Sequence, residues 1–175
     1  MNHMANYGYN ERIIQEAITF LVENFARTGH NSKPVVTHSL RVASLLWNNN
    51  ASEAAVIAAI LHDVIEDTEV ELKDVKNRFG ETVSQIVESM TIAEDPHIDN
   101  PSEAAYLRAS QLGFDALVVR ASDLIDNSYY YERTQTKELR DKLKSNYVTF
   151  MKIAKETLKG TIYWDLLKDG LEKRV

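Results

Sequence analysis

An almost wholly apolar stretch, Ala54 to Leu61, ends in four ionisable groups: His62, Asp63, Glu66 and Asp67. Burying an unpaired carboxylate is costly, so such a cluster calls for solvent, a basic side chain or a cation. On a helix, His62 and Glu66 share one stripe and Asp63 and Asp67 the next, because residues four apart lie one turn above each other. Imidazole and carboxylate are both ligands for divalent metals. Two further segments offer the same chemistry. His38 sits among Val35, Val36, Leu40 and Val42, where it reads either as a core histidine or as a ligand. Asp123 lies in VVRASDLIDN, where apolar residues again run into carboxylates, with Asn127 one turn further on. Spacing leaves Asp123 and Asp126 equivalent as ligand candidates.

These groups need elements to hold them. Ile13, Ile14, Ala17, Ile18, Leu21, Val22 and Phe25 follow helical spacing and predict an amphipathic helix over residues 10–26. After the loop RTGHNSK, Pro34 suits the first turn of a second helix, which carries His38 and runs to about Trp47. NNNAS interrupts it, and Ser52 is the expected N-cap of a third helix reaching about Glu66. That helix is apolar nearly all round and belongs in the centre of the fold. Shorter helices are expected at 71–78 and 80–92, then one across 103–111 capped by Ser102 and ended by Gly113. DALVVRASDLIDNSYYY reads as a buried helix carrying Asp123, although its LVV also suits a strand. A long amphipathic helix over about 137–159 and a short one after Gly160 complete an all-α chain, read as one domain over residues 1–175.

Composition narrows the function. The 175 residues contain no cysteine, which excludes disulfides, zinc–thiolate sites and a thiol nucleophile. No secretory leader or membrane-length apolar run is visible, so the expectation is a cytoplasmic protein without a membrane partner. A net charge of −6 argues against nucleic acid as a partner but leaves room for a phosphorylated small molecule.

Taken together, His38 after KPVVTH, LHDVIEDT at 61–68 and ASDLIDN at 121–127 resemble the HD-domain metal-dependent phosphohydrolases. The pattern is most similar to the hydrolase domain of RelA/SpoT-type proteins and to stand-alone small alarmone hydrolases, over roughly residues 10–155. The resemblance implies an HD-domain helical bundle around a central metal site. It implies that His38, His62, Asp63 and Asp123 bind one divalent ion, expected to be Mn²⁺, and that Glu66 and Asp67 handle the attacking water. Asn127 corresponds to a family residue that contacts the nucleotide. The implied reaction is removal of 3′-pyrophosphate from guanosine 3′,5′-bis(diphosphate). Rival readings are an HD phosphohydrolase for another nucleotide or phosphorylated metabolite, and a non-catalytic ligand-binding module.

The chain departs from the family around the substrate. An Arg-Lys pair and a tyrosine are usual in the loop before the first histidine; here it reads Gly29, His30, Asn31, Ser32, Lys33, Pro34 and Val35. The usual Asn-x-Arg-Thr becomes Asn127, Ser128, Tyr129 and Tyr130. Counter-charge must come from among Arg27, Lys33, Arg41, Arg120, Arg133, Lys142 and Lys144, with Arg27 and Lys33 the expected substrate contacts. The tyrosines could stack on a base or pack between helices. The metal chemistry is therefore expected to be intact and substrate recognition altered.

Overall fold

The computed structural model describes residues 8–29, 34–92, 97–130 and 136–175, and among these every regular element is helical. In chain order they are α1 (Glu11–Thr28), α2 (Val35–Asn48), α3 (Glu53–Leu61), α4 (Val64–Asp67), α5 (Leu72–Phe79), α6 (Glu81–Met90), α7 (Pro101–Leu112), α8 (Phe114–Ser128), α9 (Lys137–Leu158) and α10 (Ile162–Lys173). The all-α expectation holds, and Leu117–Val119 form helix rather than strand.

The expected third helix is the main departure. It stops at Leu61, and His62 and Asp63 form a turn before the single turn α4. Both residues keep right-handed backbone angles, His62 at φ −60°, ψ −33° and Asp63 at φ −93°, ψ −3°. The chain therefore continues in the same general direction but presents these side chains at a break, not on a regular stripe. Ser52 caps α3 as expected, its hydroxyl accepting the Ala55 N–H. Asn100, not Ser102, caps α7: its side chain accepts from Glu103 N, Pro101 takes the first helical position, and Ser102 is buried. Gly80 (φ 89°) and Gly113 (φ 101°) make the sharp links α5–α6 and α7–α8, where a Cβ would be strained.

Every residue of α3 from Ala55 to Leu61 is buried, against α1, α2, α6 and α8. Burial on all sides follows from a helix with no polar face. On α2 the buried stripe is Val35, His38, Val42 and Leu46, so the apolar periodicity carries His38 inward. On α8, buried from Ala116 to Asp126, the polar Arg120, Asp123 and Asn127 fall at i, i+3 and i+7 on one face. Packing of α2, α3 and α8 on one another brings the three chemical segments to one place. Among the described residues, no helix is long and apolar enough to cross a membrane.

Candidate metal centre

Two imidazoles face each other. His38 Nε2 and His62 Nε2 are 3.1 Å apart, and both residues are buried. Their other ring nitrogens are engaged: His38 Nδ1 lies 2.7 Å from Asp126 Oδ2, and His62 Nδ1 lies 2.8 Å from the Ala59 carbonyl oxygen. Neither partner donates in its ionised or backbone form, so both Nδ1 atoms carry the proton and both Nε2 atoms are left as lone pairs. Carboxylate oxygens crowd the same point. Asp123 Oδ1 lies 3.2 Å from His38 Nε2 and 3.5 Å from His62 Nε2. Asp63 places Oδ1 3.2 Å from His62 Nε2 and Oδ2 3.8 Å from His38 Nε2.

This donor set fits a divalent cation. One proton can bridge a single pair of these atoms, whereas a metal ion can take all of them. Two donors about 2.1 Å from an ion and about 90° apart lie roughly 3 Å from each other, close to the spacing of the two rings. The donor atoms of His38, His62 and Asp123 all lie within 4.8 Å of one another; Asp63, expected as a fourth ligand, is outside that group although its Oδ1 is 3.2 Å from His62 Nε2.

Around this point the structure separates two aspartates that spacing left equivalent. Asp123 accepts from Asn127 Nδ2 at 2.6 Å and from Arg120 Nη1 at 3.3 Å. Burial alone would raise its carboxyl, but with no ion bound and the rings protonated, the hydrogen bonds and charge of the two histidines hold it well below the usual range. Asp126 instead turns away from the rings' common point, receiving His38 Nδ1–H and a fork from Arg41, Nε at 2.7 Å and Nη2 at 2.8 Å. Arg41, counted in sequence among the cations available to a phosphate, is thus engaged with Asp126. Its signal was the i+3 spacing from His38, matched by Asp126 at i+3 from Asp123, which places each pair on one helix face.

Glu66 has one side in solvent, but its carboxylate folds inward to accept the Ile92 N–H. Burial of that carboxylate pushes it up, with Asp63 and Asp123 adding repulsion, against the Ile92 hydrogen bond and the Arg120 charge. Asp67 is half-buried at the end of α4, its N–H bonded to the Asp63 carbonyl at 3.0 Å. Beside Asp123 opens a cavity of about 320 Å³ that also reaches Arg120, Asn127, Tyr106 and Tyr130. Arg120 is buried, donates to the Met90 carbonyl, and its Nε has no hydrogen-bond partner among the described residues. Arg27 is not part of this cavity. It donates to Asn24 at 2.7 Å and lines a separate one of about 500 Å³ that contains none of the clustered histidines and aspartates. Lys33, Tyr131 and Arg133 lie outside the described residues.

The HD-domain family profile matches residues 17–111, more than half of the chain, and the chain belongs to that family. That span includes His38, His62, Asp63, Glu66 and Asp67, and ends before Asp123. Among named relatives, the guanosine-3′,5′-bis(diphosphate) 3′-pyrophosphohydrolase of Aquifex aeolicus is 34% identical over 89 residues, covering 50% of this chain and 13% of that protein. The GTP pyrophosphokinase of Streptomyces coelicolor is 25% identical over 137 residues, covering 76% of this chain and 16% of the relative. The chain therefore spans only about a seventh of the length of these relatives. A solved structure described as a metazoan ortholog of SpoT that hydrolyses ppGpp superposes with a TM-score of 0.75 at 23% identity, covering 95% of this chain and 97% of that one. At that identity the likeness establishes the shared fold.

Proposed function

We propose that this chain is a metal-dependent phosphohydrolase whose substrate is guanosine 3′,5′-bis(diphosphate), from which it releases the 3′-pyrophosphate. The observation that carries this reading is the pair of Nε2 lone pairs 3.1 Å apart, flanked by Asp123 and Asp63. His38, His62, Asp63 and Asp123 would hold the ion, and a histidine-and-carboxylate set in a hydrolase suits Mn²⁺. When bound, a divalent ion lowers the pKa of its water and neutralises charge on the phosphoryl oxygens. Glu66 would be the group that takes a proton from the attacking water. Its raised carboxyl brings it nearer the working pH than an ordinary glutamate. Asp67 assists from the next position. Asn127 keeps Asp123 oriented and faces the cavity, where Tyr130 offers a surface for the base and Arg120 a buried positive charge. Of the two cations expected to meet the substrate, Lys33 is kept as further counter-charge, while Arg27, which lines the separate cavity, is not assigned to it. A guanosine nucleotide substrate and a cysteine-free chain fit the cytoplasm.

The named activities of the relatives support the choice of nucleotide. A second reading rests on the loop at 29–35, which lacks the family's Arg-Lys pair: a less highly charged nucleotide or phosphorylated metabolite, turned over at the same centre. A purely ligand-binding role leaves Glu66, held beside the cluster, without a task. The deciding experiment is turnover of guanosine tetraphosphate against a panel of other nucleotides by Mn²⁺-loaded protein, with His62→Ala as control. Release of pyrophosphate from the tetraphosphate, lost in the control, is the expected result. Efficient turnover of another nucleotide with the tetraphosphate untouched moves the assignment to the second reading.

A further inference from the structure

A chain of polar contacts runs from the rim of the cavity to the buried ring of His38. Tyr130, which lines the cavity beside Asp123, accepts from Arg41 Nη2 at 2.6 Å. Arg41 grips both oxygens of Asp126, and Asp126 accepts His38 Nδ1–H. The participants come from α2, α8 and the turn after α8, so the chain exists only when these elements are packed. The Asp126 side chain is nearly buried, at 11% exposure, while Arg41 keeps its outer face in water, at 45%.

An imidazole that presents Nε2 to an ion must carry its proton on Nδ1, and the group that accepts this proton sets both tautomer and ring rotation. For His62 that group is the backbone of its own turn. For His38 it is a side chain, and a carboxylate on a single bond can rotate away unless its other oxygen is held. The bidentate fork from Arg41 supplies that hold, since a planar guanidinium matches both carboxylate oxygens at once. We propose that Asp126 and Arg41 are positioning residues for His38: Asp126 fixes the Nδ1–H tautomer and ring orientation, and Arg41 locks Asp126 in place. The inference rests on the metal-centre reading above and assigns Arg41 to the ring rather than to substrate phosphate. Tyr130 then joins the cavity's contents to the ring through Arg41.

Two measurements on the full chain test this. The first needs no metal: a ¹⁵N-histidine spectrum of chelator-treated protein, with the His38 signal identified by its loss in His38→Gln. Wild type should show a fixed Nδ1 proton on His38, and Asp126→Ala should lose it. The second is titration with Co²⁺, followed by the visible absorption of the bound ion. Asp126→Ala and Arg41→Met should each weaken Co²⁺ binding about ten- to a hundredfold, in the range expected when a partner of a ligating histidine is removed. Arg41→Lys, which keeps the charge but not the fork, should fall between. The double variant should bind no worse than Asp126→Ala, because both changes cut one chain of contacts. Variants that keep the His38 Nδ1 proton and wild-type Co²⁺ affinity, and only melt earlier, would show that the pair merely pins α2 to α8 and would overturn the proposal. Wild-type protein that takes up no Co²⁺ sinks the metal-centre reading itself, and the Nδ1 signal then still decides whether Asp126 sets the ring.

Discussion

His38 and His62 bring the same ring atom, Nε2, to one point from opposite kinds of surroundings. His62 is held locally: its Nδ1 meets the carbonyl of Ala59, three residues back, in the turn where α3 gives way to α4. His38 is held from a distance, by Asp126, 88 residues further along the chain. The first arrangement survives as long as α3 keeps its seat in the core. The second depends on the docking of α2 against α8 and on two charged side chains. A backbone carbonyl cannot be titrated away, whereas a carboxylate can. The two halves of the centre should therefore fail under different treatments.

The largest effect is expected from the group that neither half contains. Glu66→Gln should lower turnover about 10²- to 10⁴-fold while leaving metal content near normal, since the amide cannot take a proton from water. Steady-state rates beside elemental analysis check this, and near-normal turnover would remove Glu66 from the mechanism. Next comes a change to the seat of His62. Ile60→Ala in the buried run of α3 should cost about 2–5 kcal/mol of stability, read by urea unfolding of the chelator-treated protein.

Acid should separate the halves. Burial opposes ionisation of Asp126, but hydrogen bonds from His38 and Arg41 and the charge of Arg41 outweigh it and hold the carboxyl below its usual value. For a depressed carboxylate, the stability it contributes is present above the unfolded value of about 3.9 and is lost as pH falls through the folded value. The melting temperature of chelator-treated wild type should thus fall more steeply below about pH 4 than that of Asp126→Ala. Parallel acid limbs would mean that Asp126 is not the sensitive contact. The smallest effect belongs to the far end of α3. Ser52→Ala removes the cap on Ala55 N–H and the 2.6 Å contact to Asp115, and should cost about 0.5–2 kcal/mol without changing metal affinity. Metal titration beside thermal melting checks both halves of that statement.

The contrast between the two histidines also explains what could be read in advance. The helix boundaries follow local rules, and Ser52, Gly80 and Gly113 mark them where the chain turns. The break at His62 was not legible, because a continuous apolar run into HDVIED has no proline or glycine to announce it. The cap of α7 was legible but read two residues late: Ser102 and Asn100 are both good N-caps, and Pro101 at the first helical position decides for Asn100.

By itself the sequence determined the residues that could do chemistry and the helices that carry them, because apolar periodicity and capping are short-range. It also carried the family likeness through His38, LHDVIEDT and ASDLIDN. The tertiary structure decided between Asp123 and Asp126. Both lie on α8 within one turn, and only the direction from which α2 packs makes one an oxygen beside the two Nε2 atoms and the other the partner of His38 Nδ1. It decided the task of Arg41 in the same way, since a charge three residues from His38 points to solvent, substrate or Asp126 according to what stands opposite. Long-range contact carries that information, and spacing along one chain does not.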